Sequence, residues 1–162
     1  MAWDIKPFVG VAPVSFFMTP AQVAAAANLG PARARQDGPY LNEFRGINAP
    51  VFNYLDGGLV IVSTNRYLPD VLWNQMDIYK SNPIDVLRAM QKANGPALRI
   101  FDTVVFAKLG LQLTGFYAFA RNEAYDPSSD DPDNRTLSAW AQVAQDRNLK
   151  ELAAHTQDAP TF

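Results

Sequence analysis

Cysteine is absent from this chain of 162 residues. Its absence removes disulfides, thiolate nucleophiles and cysteine-ligated zinc together, and fits a reducing compartment. Histidine is nearly absent as well. The single His155 stands near the end of a helix-forming segment, where the helix dipole favours a cation. A multi-histidine metal centre or a Ser-His-Asp arrangement therefore lacks its side chains. An excess of one charge is also missing: 14 Lys+Arg against 16 Asp+Glu give a net charge of −2. That balance is unlike the basic stripe of a phosphate-backbone binder and argues against nucleic acid. No stretch reaches the roughly 20 apolar residues of a membrane span. The opening MAWDIKPFVGVAPVSFFMTP carries Asp4 and is broken by Pro7, Gly10 and Pro13, so it lacks the order of a signal peptide. The expectation is a soluble, cytoplasmic protein with no cofactor, no metal and neither a membrane nor a nucleic-acid partner.

The usual chemical motifs are lacking too. Gly57-Gly58 and Gly10 sit outside any strand–glycine loop–helix context with a following Lys-Ser/Thr, so they make no phosphate cradle. Asp126, Asp130, Asp131 and Asp133 lack the alternating ligands, turn glycine and distal glutamate of a calcium loop, and Pro127 and Pro132 punctuate them. They read as a solvated acidic loop. No acid–base dyad follows from the spacing of the carboxylates.

What is there is a structural sentence stated twice. Thr19-Pro20-Ala21-Gln22-Val23 and Asn82-Pro83-Ile84-Asp85-Val86 each place a capping side chain, a proline at the first helical position, a polar residue at N3 and an inward valine. Each segment runs to an identical tripeptide, Gly30-Pro31-Ala32 and Gly95-Pro96-Ala97, expected to end the helix. Strand-forming sequence follows both. After the first come Tyr40–Arg45, Val51–Leu55 and Leu59–Thr64, with Asp56-Gly57-Gly58 as a hairpin turn. After the second come Leu98–Ala107 and Leu111–Ala120, joined near Leu109-Gly110. Arg66–Asp77 predicts a further short strand. Beyond the polar YDPSSDDPDN loop, Leu137, Trp140, Ala141 and Ala144 fall on one stripe and predict a helix over Thr136–His155.

The fold class expected is α+β: two tandem related units of helix plus antiparallel strands forming one curved sheet, with an added C-terminal helix. Residues 1–123 make one domain of two repeats, about 1–74 and 75–123; residues 124–162 supply an acidic loop and a helix packed on it. Helices on one side of a sheet cannot bury large side chains on both faces. The surplus aromatics predict an exposed patch, and such a patch marks a protein–protein surface. Its candidate residues are Phe52, Tyr54, Asp56, Arg45, Tyr67, Trp73, Arg99 and Phe116.

The run 11-VAPVSFFMTPAQVAAAANLGPA-32 resembles an opening phrase shared by many small bacterial proteins, several of them toxin-immunity proteins. The same phrase occurs in small outer-membrane assembly lipoproteins and in the β-lactamase inhibitor protein family. Pro13, Phe17, Met18, Thr19, Pro20, Val23, Gly30 and Pro31 carry the match; a phenylalanine stands where glycine usually precedes the methionine, and Ala24–Ala27 replace charged and leucine positions. The resemblance covers about twenty residues, with an echo at 81–99. It implies a tandem helix-plus-sheet fold with an open sheet face for a partner. The lipoprotein branch is disfavoured, because neither a signal sequence nor a cysteine for lipidation is present. The implied function is that of a non-enzymatic immunity protein occluding a cognate protein toxin. The alternatives are a small-molecule-binding or enzymatic α+β domain with an enclosed apolar pocket, and a structural or assembly module.

Overall fold

A computed structural model describes residues 1–162. The chain is α+β. It begins with three short strands, β1 (Ala2–Lys6), β2 (Gly10–Ala12) and β3 (Val14–Ser15), then helix α1 (Pro20–Ala26). Strands β4 (Arg33–Asp37), β5 (Tyr40–Phe44), β6 (Val51–Leu55), β7 (Gly58–Asn65), β8 (Asp70–Trp73) and β9 (Met76–Asp77) lead to α2 (Pro83–Asn94). After α2 come β10 (Leu98–Ile100), β11 (Thr103–Phe106), β12 (Leu111–Thr114), β13 (Tyr117–Ala118), β14 (Glu123–Ala124) and β15 (Thr136–Trp140). Helix α3 (Gln142–Glu151), a 3-10 turn (Ala153–His155) and β16 (Thr156–Asp158) follow. No helix is long and apolar enough to cross a membrane.

Both helix starts form as their sequences dictate. Thr19 Oγ1 accepts from the Gln22 N–H at 3.3 Å while Gln22 Oε1 accepts from the Thr19 N–H at 2.9 Å, a reciprocal capping box. Asn82 Oδ1 accepts from the Ile84 N–H, with Pro83 at the first helical position. Val23 and Val86 are both fully buried. The stops differ. Gly95 ends α2 with φ +86°, but α1 stops earlier than its Gly-Pro-Ala tripeptide, because Asn28 takes the left-handed conformation at φ +51°.

The strands make two main sheets. The longer has nine strands in the order β16-β10-β11-β12-β15-β7-β6-β5-β4; the shorter has five in the order β3-β2-β1-β8-β9. Within the long sheet, two antiparallel meanders, β4 to β7 and β10 to β12 with β15, meet where β15 pairs with β7. The turn at Asp56-Gly57 forms as read: both residues have positive φ and Leu55 pairs with Gly58, a two-residue hairpin.

Residues 136–140, expected to be helical, instead form the strand at the middle of the long sheet. Leu137 and Ala139 alternate with Ser138 and Trp140, pairing between β7 and β12, so period two prevails over the apparent helical stripe. Residues 124–162 are therefore part of the sheet as well as its covering, and the helix is confined to Gln142–Glu151. The N-terminal strands were not legible, and the expectation of one sheet is corrected: β8 leaves the long sheet to pair parallel with β1.

One face of the long sheet carries Phe52, Tyr54, Val62, Thr64, Leu137, Ala139, Leu113 and Phe106, matched across strands by register. The short sheet and both early helices cover it. Trp3 meets Phe52 with ring centroids 6.3 Å apart, and Val86, Leu87 and Met90 of α2 join the same cluster of 31 buried residues. Burying each such side chain contributes about 1.5–3 kcal/mol. The opposite face presents Asn42, Asn53, Ser63, Ser138, Gln112 and Thr114 at half-buried positions.

Candidate functional site

Four of the residues expected on a partner-binding face lie in the core. Phe52, Tyr54 and Phe116 are at most 1% exposed and Trp73 is 4% exposed. The short sheet supplies a second layer that the sequence did not announce: its Trp3 packs on Phe52 and Trp73 is one of its own residues, while Phe116 is enclosed by Tyr79 and Arg135. Arg45 is committed as well: its side chain is 7% exposed. Its Nε donates to the Gly30 carbonyl at 2.9 Å, and Nη1 lies 3.4 Å from Glu43 Oε1. The buried Tyr54 hydroxyl donates to that same Glu43 oxygen at 2.7 Å. Burial, reinforced by the hydrogen bond to Glu43 and its charge, pushes the Tyr54 phenol well above its ordinary value.

The remaining candidates reach solvent but do not meet. Asp56 precedes β7 and Tyr67 follows its far end, so the strand's length separates them. Arg99 lies on β10, with β11, β12 and β15 between it and β7. Tyr67, about half exposed, is held locally by the Arg66 guanidinium, whose carbon sits 4.6 Å from its ring centre.

A different set comes together at the free end of the long sheet. Every residue of β4, RARQD, is exposed, and β5 is the strand's only neighbour. The Gly38-Pro39 turn closes the β4–β5 hairpin with Asp37 opposite Tyr40, which sets Arg33 opposite Phe44 and Arg35 opposite Asn42. Arg33 and Arg35 thus project to one face, beside the 40%-exposed ring of Phe44. They make no ion pair, whereas Lys6, Lys80, Arg121 and Arg147 each have a carboxylate within 4.0 Å. A solvent-open cleft of about 600 Å³ is lined by Arg33, Arg35 and Phe44 together with Pro31, Ala34, Arg45 and Gly46. On the adjoining strands Asn53 donates to Asn42, and Ser63 and Ser138 share a hydrogen bond at 2.8 Å. Burial raises the Tyr40 phenol above its ordinary value; the Arg147 charge opposes this and the Glu151 charge adds to it.

A second cleft, of about 490 Å³, occupies the other end. Arg99, Phe101, Tyr117 and Phe119 wall it, with the Arg99 guanidinium carbon 4.1 Å from the Phe119 ring centre. Arg99 Nε is taken by the Phe101 carbonyl at 2.7 Å. Phe101 is 58% exposed and holds a left-handed φ of +54°, a conformation costly for a bulky side chain.

The sequence reading missed Arg33 and Arg35, and it counted Phe44 among the surplus aromatics without placing it in the patch. One signal was available: a Gly-Pro turn before the strand at Tyr40 implies a partner strand of similar length upstream, and Arg33–Asp37 is that segment. No group of three or more His, Cys, Asp or Glu side chains is placed to hold a metal ion. Comparison with protein-family models, curated proteins and solved structures finds no match.

Proposed function

We propose that the protein is a non-enzymatic binder of another protein, an immunity protein that neutralises a cognate secreted toxin in the cytoplasm, and that the partner docks at the β4 end of the long sheet. The observation that carries this reading is the pair of unpaired arginines, Arg33 and Arg35, flanking exposed Phe44 in an open cleft. Arginine and aromatic side chains dominate binding energy at protein interfaces, because they combine large contact area with directed hydrogen bonds. Arg99, Phe101, Tyr117 and Phe119 offer a similar composition at the opposite end.

Two further features support it. The likeness of residues 11–32 to immunity proteins comes with a capped helix, Thr19 to Ala26, and a meander after it; α2 and its meander echo that plan, as tandem related units would. The larger clefts open to solvent, which suits surface recognition better than an engulfed small molecule.

The test is affinity capture from the native host with the full chain as bait, followed by co-expression of the captured protein. A stoichiometric partner whose toxicity is abolished by this chain is the expected result. Capture of no partner, or of one whose activity the chain leaves unchanged, overturns the reading.

A further inference from the structure

We propose that the open edge of β4 is a strand-addition site: an extended acidic segment of the partner protein, with carboxylates at alternate positions, pairs with β4 as a tenth strand. The inference rests on the reading of the protein as a protein binder and specifies how the partner is held.

Three observations lead to it. An edge strand leaves half of its backbone N–H and C=O groups unpaired, and native proteins cover or blunt such rows. At one end of the long sheet the chain blunts the edge itself, with a terminal strand of only three residues. Residues 156–158 add β16 antiparallel to β10, Ala159 N–H continues the pairing to the Ala97 carbonyl at 3.0 Å, and Gln91 clamps the tail by bonding Pro160 O and Phe162 N–H. The other end has no such cover, and all five residues of β4 are exposed. Finally, Arg33 and Arg35 are two residues apart on one face, without carboxylate partners. A strand added at normal spacing sets its side chains about 4.5–5.5 Å from theirs. Acids at i and i+2 would meet both guanidiniums, and Phe44, opposite Arg33 on the same face, offers an apolar contact beside them.

A second copy of this chain is the competing occupant. Twofold antiparallel pairing of β4 centred on Arg35 would set Arg35 against Arg35, which is destabilising, but would also set Arg33 against Asp37 twice, so dimerisation through this edge is an outcome that the test must separate.

The test uses synthetic peptides of about eight residues that alternate glutamate with valine, or lysine with valine, the length being that of an added strand. Two further glutamate peptides carry N-methyl groups on alternate amides, one isomer blocking each hydrogen-bonding edge. The expected result is that the glutamate peptide binds and slows amide exchange at residues 33–37, that the lysine peptide does not bind, and that at least one N-methylated isomer loses binding. The double variant R33E/R35E should weaken the glutamate peptide about tenfold or more, a change of about 1.4 kcal/mol, and should accept the lysine peptide instead.

Equal binding by both N-methylated isomers would mean surface attraction without strand pairing and would overturn the proposal, as would no binding at millimolar peptide. So would concentration-dependent dimerisation, measured by sedimentation, that R33E/R35E abolishes. The two readings fail separately. A captured toxin held equally well by wild type and R33E/R35E removes strand addition and leaves the immunity reading, whereas edge-specific peptide binding without any neutralised partner removes the toxin and keeps the edge.

Discussion

The two ends of the nine-stranded sheet meet solvent in opposite ways. At one, β10 is paired by β16 and the tail is strapped across α2; at the other, β4 is bare and carries Arg33 and Arg35. The halves behind them also differ in the polar groups they bury. Behind the bare edge, Glu43 is held by Tyr54 and Arg45. In the other half Arg135, 4% exposed, forms a two-pronged pair with Asp133 at 2.9 Å and lies among the rings of Tyr79, Phe116 and Tyr125. The lesson is that both ends present a backbone row, and that the chain blunts only one of them, by ending it on a strand of three residues, against five in the bare β4.

Removing packing behind the bare edge should have the largest effect. Phe52→Ala, at a fully buried position on β6 beside β5 and against Trp3, should cost about 3–5 kcal/mol in denaturant unfolding. A loss under about 1 kcal/mol would mean the ring is not packed as described, and the edge would then be loose. Asp133→Asn should come next, at about 3 kcal/mol, since it strands a buried guanidinium in the other half.

The titration of these groups separates the halves further. The hydrogen bond from Arg135 holds the Asp133 carboxyl below its ordinary 3.8. Its stabilisation is present above that value and is lost as pH falls through the lower folded value, so acid should open the Arg135 half first. Tyr54 is shifted the other way, raised chiefly by burial, so its stabilisation is complete below about pH 10 and is lost as pH rises above it. Tyr79, in the Arg135 half, is also raised by burial, so both halves contribute to the alkaline loss and the acid limb is what sets the Arg135 half apart. Unfolding curves of Asp133→Asn and Tyr54→Phe across pH check the assignment: each variant should flatten one limb only, and a shared limb would contradict it.

Gln91→Ala should cost about 1–2 kcal/mol by releasing the tail clamp. Amide exchange should quicken over residues 156–162 and stay unchanged at β4, and equal quickening at both ends would break the contrast. The smallest effect on stability belongs to R33E/R35E, within about 0.5 kcal/mol of wild type because both side chains are exposed and unpaired, although binding should suffer. A substantial loss of thermal stability would show that the arginines serve the fold instead of a partner.

Much of the local structure was legible. Thr19 with Gln22 and Asn82 with Pro83 specify their helices through contacts within four residues, and Asp56-Gly57 specifies its hairpin through backbone conformation alone. The site was far less legible. Phe52, Tyr54, Trp73 and Phe116 have the composition of a binding patch and lie in the core, because no local rule distinguishes a ring facing solvent from one facing a second sheet. Leu137, Trp140, Ala141 and Ala144 fit a helical stripe as well as Leu137 and Ala139 fit a strand, and only the vacancy between β7 and β12 decides between them.

The sequence by itself determined where α1 and α2 start, where the Asp56-Gly57 hairpin turns and that Val23 and Val86 face inward, since caps, prolines and left-handed residues act over three or four positions. The tertiary structure decided which strands stand at the ends of the sheet, and therefore that β10 is covered by the tail while Arg33 and Arg35 remain free. An edge is a property of what is absent beside a strand, set by pairings between residues as distant as Leu98 and Asp158.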